Sequence, residues 1–579
     1  MMKNIYYYLF LIVVGLNSCR KDFLNRYPQD EITTQSYWKT AKDLELYVNQ
    51  FYVDFPGFSV GAQNAGIFTI DNNSDNMVPV SFNPILGGTR TIPVSASDGG
   101  WSWENIRSVN IFLANYHKCE SPLSQYNTYV GEALFFKAYF YFDLLERFGA
   151  VPWYTSPLEM DSKELYNPRT PRNVVADSIL SLLDDAIGRL ESKKSATPFR
   201  VSKEVALLLK SRVALYEGTW EKYHSATPFG VSDANPEAYL QVAATAVDTL
   251  MKMGTCDIYS TGQPSEDYVN LFNQSDYSGI SEVMLWKKFD RSLGMGHSAY
   301  LTTYNGHGTG LSKSLVDSYL CTDGLPISSS SVYKGDATYI IATKDRDPRL
   351  AESIFLPGDP VTIRDGVVLN AFVKPGLDQS SINVNTTGYQ VEKGHRAVKY
   401  SDADFNDSDN GSIIFRYAEA LLNYAEAKAE LGTISQNDID ISINKLRARV
   451  GMPPMELDEI RTWHDPKWQF PALSPIINEV RRERRVELAC EGYRFNDLMR
   501  WAAGDLITGE RPLGAKFVES DWPGLAIGKD IFVDPDGYID PYQKSLPSGW
   551  KFNPQRDYLS PIPISELTLN KNLAQNPGW

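Results

Sequence analysis

Apolar residues return at helical spacing in long blocks along this chain, and two stretches between the blocks lose that spacing. Ala41–Phe55 places Leu44, Leu46, Tyr47, Val48, Phe51 and Tyr52 three and four positions apart, which predicts an amphipathic helix. Trp101–Cys119 repeats the pattern with Trp103, Ile106, Val109, Ile111, Phe112 and Leu113. Tyr126–Phe148 is strongly aromatic, with Phe135, Phe136, Tyr139, Phe140, Tyr141 and Phe142 close together, and Gly149 and Pro152 close it. Further helices are predicted over Pro171–Leu190, Val201–Gly218, Pro236–Met253, Ile413–Leu431, Asp438–Val450 and Pro475–Trp501. Residues 56–100 and 254–410 are instead rich in Gly, Asn, Asp, Ser and Pro, with short β-like runs such as Val283–Phe289.

The resulting architecture is mainly α. Helix–turn–helix spacing with Ala and Tyr alternating in size predicts a tetratricopeptide-like scaffold of helical pairs, although the strict repeat consensus is absent. The scaffold spans residues 28–253 and 413–503 of one domain covering 19–579. Two insertions, 56–100 and 254–410, interrupt it, and a loop-rich region, 504–579, follows. Loops this long inside a folded unit are usually functional or disordered, and the apolar residues Phe58, Phe68 and Phe82 argue against disorder in the first.

The segment Arg481–Trp501 carries the most concentrated charge pattern. Glu483, Glu487 and Glu491 recur every four residues, so on a helix they share a face, with Arg481, Arg482, Arg484 and Arg485 within a turn. Lysine and glutamate would serve a solvated face. Arginine beside Phe, Tyr and Trp points to planar, partly buried pairing. Such neighbours should keep the carboxylates ionised, whereas a general acid needs the opposite shift. The expected role is therefore structural.

The N-terminus reads as a leader. Lys3 precedes the apolar run Ile5–Leu16, which is too short to span a bilayer, and Leu16-Asn17-Ser18-Cys19 resembles a lipoprotein processing site. Residues 1–18 are then a signal peptide, and Cys19 is the lipidated N-terminus of a protein anchored to a membrane. The formal net charge of −15 excludes nucleic acid as a partner, because a phosphate backbone needs a basic footprint. Five scattered cysteines give neither a disulfide framework nor a thiolate metal site.

Few motifs carry chemistry. No metalloprotease helix motif, phosphate-binding loop or nucleophile elbow occurs, and His297 and His307 sit ten apart in a Gly-rich loop. Asp71, Asn73 and Asp75 have the first three spacings of a calcium loop, so a structural calcium is the one cation they suggest. The glycine at position six is missing and Phe82 stands at twelve. The acidic loop Asp402, Asp404, Asn406, Asp407 and Asp409 misses the pattern too. The Gly306–Gly310 loop reads as one that approaches a ligand closely. Aromatic side chains in the insertions remain: Trp101, Tyr300 and Tyr304, which with Asp71, Asp75 and Arg90 offer stacking faces and hydrogen-bonding groups suited to sugars.

Several segments, read together and in order, resemble the SusD/RagB family of surface nutrient-binding lipoproteins of Bacteroidetes. They are Leu16–Cys19 with Phe23-Leu24, Trp103–Asn110 with Asn115, Gly131–Leu144 running on to Arg147–Pro152, Arg416–Ala427, Arg481–Trp501, Tyr558–Pro563 and Gln575–Gly578. The resemblance implies a helical scaffold with ligand-binding loops, no catalysis and no cofactor. It implies a lipid-anchored protein on the outer face of the outer membrane. That protein would capture an oligosaccharide or polysaccharide and pass it to a SusC-like TonB-dependent transporter. Peptide or glycoprotein capture, as in RagB-like members, and a surface glycoside hydrolase are the alternatives.

Overall fold

The computed structural model describes residues 37–58, 66–380, 383–400 and 407–579. The expected signal segment, Cys19, and Asp402, Asp404 and Asn406 lie outside the described residues. The helical blocks are α1 (Ala41–Asn49), α2 (Glu104–Asn115), α3 (Leu123–Phe148), α4 (Arg172–Arg189), α5 (Lys203–Tyr223), α6 (Pro236–Met253), α7 (Tyr417–Glu430), α8 (Pro475–Glu487) and α9 (Arg494–Arg500). Their ends follow local chemistry. Thr40 and Asp43 form a reciprocal capping box at α1. Asn235 caps α6 ahead of Pro236, and Gly254 ends it in the left-handed region.

Each long helix packs on the next: α3 on α4, α4 on α5, α5 on α6, α6 on α7, and α7 on α8. The helix α3 is buried on nearly every side, which is why its aromatic residues crowd positions all round the helix. Gly218, expected to end α5, lies inside it. A Cβ there would stand 3.0 Å from Leu240 and 3.1 Å from the Pro236 carbonyl, so the glycine permits α5 and α6 to approach rather than stopping the helix.

The second insertion leaves the scaffold after α6 and returns at α7, helices that touch one another. Its two ends are fastened by an antiparallel pair, β1 (Val283–Lys287) and β4 (Ser412–Arg416). The sequence reading had α7 starting at Ile413. Ser412–Arg416 is instead strand, since Ile413, Ile414 and Phe415 suit a pleated surface better than a helix start. A separate hairpin, β2 (Pro360–Arg364) with β3 (Val367–Ala371), projects from the insertion. The expected helix over 438–450 is split into Gln436–Asp440 and Ile443–Arg449.

The two insertions join each other. Val78 N–H donates to Gly310 O at 2.9 Å, and Val80 N–H to Gly308 O at 2.8 Å. A Cβ at Gly310 would lie 2.2 Å from Thr387 Oγ1, so the Gly306–Gly310 loop is glycine-rich to let chains pack. That revises the expected ligand-approaching role. The C-terminal region straps the first insertion down: Arg90 pairs with Asp557 at 3.0 Å and stacks on Trp579.

The predicted helix over Pro475–Trp501 breaks at Glu487. Beyond it, Cys490 and Gly492 adopt positive φ. Side chains claim several of the freed backbone groups. Asp71 accepts from Cys490 N–H and Gly492 N–H. Arg416 and Tyr268 donate to Glu487 O, and Lys393 donates to Ala489 O. Together with the bond from Glu491 N–H to Leu488 O, these contacts replace the helical ladder.

Glu487 is fully buried and holds three guanidinium groups: Arg416 at 2.8 Å, Arg349 at 2.9 Å and Arg449 at 2.6 Å. Around it, Glu483 pairs with Arg349 and Arg447, Glu491 with Arg416 and Lys393, Glu282 with Arg416, and Asp347 with Arg349. Among the described residues, five cations (Arg349, Lys393, Arg416, Arg447, Arg449) thus meet five carboxylates (Glu282, Asp347, Glu483, Glu487, Glu491), so the cluster is neutral. Against the cost of burial, these guanidinium groups hold Glu487 well below the usual carboxylate range, and Glu483 and Glu491 are lowered in the same way.

Replacing Glu487 with Gln leaves buried guanidinium groups uncompensated, and a loss of about 3–5 kcal/mol is expected in thermal or urea denaturation. The sign with pH follows from the lowered values. The carboxylates' contribution is present above their ordinary pKa of 4.5 and is lost as pH falls towards the depressed values. The Glu487→Gln deficit should therefore be largest near neutrality and shrink on strong acidification.

Candidate functional site

The broken helix end shapes a cleft of about 200 Å³ where both insertions meet the scaffold. Its aromatic walls come from Phe58 in the first insertion, Phe272 and Tyr277 in the second, Tyr139 and Phe142 on α3, and Tyr493 ahead of α9. Its polar groups are Asp143, Glu146, Arg212, Arg416, Glu491 and Asn496.

Each polar group is fixed by a partner. Arg212 makes a bidentate pair with Glu419 at 2.6 and 2.7 Å and lies over the rings of Phe415 and Tyr493. Tyr493 Oη donates to Glu419 at 3.0 Å. Asn496 Nδ2 donates to Glu146 at 2.8 Å. Arg416 and Glu491 belong to the buried ionic cluster, which therefore reaches the cleft wall. Gly492 lines the same wall at φ 85°, where a Cβ would press to 2.8 Å from Ile70, so the turn requires glycine twice over.

Glu146 stands apart electrostatically. Burial, and then the negative charge of Asp143, push its carboxyl up to about 8. It keeps its proton at neutral pH and can donate a hydrogen bond, while Asp143, more than half exposed at the rim, accepts. The cleft thus offers aromatic faces, a donor carboxyl, an acceptor carboxylate and an amide, which matches a ligand with alternating C–H faces and hydroxyls. Hydrolysis is a poor fit. Asp143 and Glu146 rise one turn apart from one face of α3, whereas a glycosidase's carboxyls flank the scissile bond.

The residues expected from sequence to bind ligand do not line this cleft. Asp71 is buried and positions its wall through the N–H groups of Cys490 and Gly492. Asp75 is buried between Arg485 at 3.0 Å and Arg494 at 2.6 Å, which hold it well below the usual range. Two guanidinium groups already neutralise Asp75, and Asp71 is committed to backbone donors and Asn76. Among the described residues no group of three His, Cys, Asp or Glu side chains is placed to hold a metal ion.

Arg90 is a strap residue, as above. Trp101 is a core side chain packed edge-on against Trp103 and Phe148, with one edge on a separate groove of about 420 Å³. Tyr300 is buried, and its hydroxyl meets Thr362. Tyr304, tilted against Tyr300 at 5.9 Å, stays 43% exposed but lies outside the cleft. Tyr139, Asp143, Glu146 and Arg212 were missed because they sit in segments that read as scaffold. The available signal was two acids, three apart, inside the aromatic run Phe135–Phe148.

Two family models match the chain. One described as the SusD family matches residues 248–579, and one described as starch-binding, associating with outer membrane, matches residues 23–215. The SusD-like protein P38 of Formosa agariphila is 25% identical over 508 residues, covering 85% of this chain and 90% of the relative. The SusD-like protein P2 of the same organism is 23% identical, covering 99% of this chain and 98% of the relative. A solved SusD-like carbohydrate binding protein from Bacteroides fragilis superposes with a TM-score of 0.70 at 22% identity, over 93% of this chain and all of that one. A second SusD-like structure from that organism gives 0.70 at 25% identity, over 96% of this chain and all of that one.

One prediction isolates the cleft's buried acid. Glu146 has a raised pKa, so it stabilises the fold fully below its ordinary value of 4.5, and the contribution is lost as pH rises through about 8. Glu146→Gln, which mimics the protonated form, should match wild type in thermal midpoint at pH 5 and exceed it at pH 9. Parallel pH profiles for the two proteins would remove the assignment.

Proposed function

Because the chain belongs to the SusD family, whose model spans more than half of it, we propose that it is a non-catalytic, surface-exposed glycan-binding lipoprotein of the outer membrane that hands its cargo to a SusC-like TonB-dependent transporter. The observation that carries the binding reading is the cleft itself. Aromatic walls and the neighbouring carboxyl groups of Glu146 and Asp143 offer stacking and hydroxyl recognition in one place. A non-catalytic role is supported by the ionic cluster, in which Glu483, Glu487 and Glu491 are held ionised by bound cations. The processing-site pattern Leu16-Asn17-Ser18-Cys19 supports lipid anchoring. Among the described residues no helix is long and apolar enough to cross a membrane, so a lipid and a partner protein would supply the attachment.

Isothermal titration against a panel of soluble glycans, with peptides alongside, is the direct test. A glycan should bind without release of reducing ends. Asp143→Ala should weaken that binding about ten-fold and leave the thermal midpoint unchanged, since the side chain is more than half exposed. Binding of peptides alone would replace the glycan reading with peptide capture. Metabolic labelling with palmitate checks the anchor: Cys19→Ala should lose the label and leave the membrane fraction.

A further inference from the structure

The cleft is small for the ligand proposed for it. At about 200 Å³ it falls below the roughly 300–1,000 Å³ typical of sites that enclose a drug-sized molecule. Beside it lies a groove of about 520 Å³. Ile414 of β4 lines both, and the chain from Phe55 to Phe58 runs between them, with Phe55 on the groove and Pro56 and Phe58 on the cleft. We infer that the groove is a continuing subsite. The protein takes an extended glycan chain laid from the cleft across Ile414, and Phe199 is the platform on which a far sugar ring stacks. This inference rests on the glycan reading of the cleft.

Phe199 occupies a backbone position that does not suit it. Arg200 N–H donates to Thr197 O at 3.3 Å, closing a four-residue turn with Pro198 second and Phe199 third. Phe199 has φ 66°, and a turn of this kind, with proline second and positive φ third, ordinarily places glycine there. A bulky aromatic residue in the left-handed region is strained, and such strain persists where the surroundings over-determine it. Here they do. Arg200 makes a bidentate pair with Glu132 at 2.7 and 2.5 Å and a bond to Asn49, while Val201 N–H donates to Tyr52 Oη at 2.9 Å.

The turn is thus bolted down, and the ring it carries stays 45% exposed. Trp286 meets that ring edge-on at 5.1 Å, which fixes its tilt and leaves the rest open to the groove. The dividing wall is fixed as well: Lys287 donates to the carbonyls of Val53 and Phe55, tying that turn to β1. A glycine at 199 would relieve the backbone at once. The aromatic ring is therefore held in place against local preference, rigid and half in water. Those are the properties of a stacking platform, because a preorganised ring loses little freedom when a sugar covers it.

The test is titration of the purified full chain with short and long members of four series: maltose and maltoheptaose, xylobiose and xylohexaose, laminaribiose and laminarihexaose, digalacturonate and hexagalacturonate. In the series that binds, the long member should bind about ten-fold more tightly than the short one. Phe199→Gly should erase that gain, leave the short member's affinity intact and not lower the thermal midpoint, because it removes strain. Phe199→Tyr should keep the gain. Asp143→Ala should weaken short and long members alike. A length gain that survives Phe199→Gly overturns the inference while leaving the cleft's role standing. So does a loss confined to preparations whose thermal midpoint also falls. Failure of every short and long member to bind overturns the glycan reading and the inference with it.

Discussion

The second insertion is tied to the end of α8 by how Glu487 is satisfied. One carboxylate, with no exposed surface, takes guanidinium groups from three separate parts of the chain. Arg349 arrives from within the second insertion, Arg416 from the strand that closes it, and Arg449 from the short helix that follows α7. Taking such charges out of water is costly, and a packed apolar cluster could give equal stability. An apolar cluster would not, however, dictate direction. Each guanidinium accepts partners only in its plane and along its fork, so the cluster sets the register of three loops at once. Its neutrality makes that arrangement tolerable, and removing any single member would leave a buried charge.

The same cluster supplies the edge of the cleft. Arg416 and Glu491 face inward to the ionic core on one side and line the cleft on the other. Asp71 completes the wall by holding the turn after α8. Asp75 does a parallel job through Arg485 and Arg494, welding the first insertion to the helices behind it. The irregular part of the cleft wall, around Cys490 and Gly492, is held by buried side chains instead of a ladder. Precise loops on a fixed scaffold are what a protein needs if it is to hold a flexible polymer without chemistry.

Much of the scaffold was legible before any coordinates. The apolar spacing located most of the long helices to within a few residues. Where the reading slipped, the reason is tertiary. Gly218 resembled a stop and is a contact with Leu240. Ile413 resembled a helix start and pairs with β1. The run from Arg481 to Trp501 resembled one helix until Asp71, more than four hundred positions away, claimed its amides. The candidate site was hardly legible at all. Asp71, Asp75, Arg90 and Trp101 have the chemistry of sugar contacts, but their partners Arg485, Arg494, Asp557 and Phe148 lie far off in sequence and turn them inward.

The sequence by itself determined what depends on neighbours along the chain: the periodicity of the helices, the caps and breakers at their ends, and a family pattern whose matched segments are scaffold. The local spacing also suggested that the Arg481–Trp501 charges balance one another, whereas Glu483, Glu487 and Glu491 pair with Arg349, Arg416, Arg447, Arg449 and Lys393, and Arg481 and Arg485 with Glu430 and Asp75. Only the tertiary structure decided which carboxylates are held ionised by buried cations, as Glu487 is, and which are pushed towards the protonated form, as Glu146 is. It alone decided that an exposed Phe199 sits strained at the lip of a groove that continues the cleft. Burial, desolvation and the meeting of distant loops are properties of the folded surface, and no local pattern encodes them.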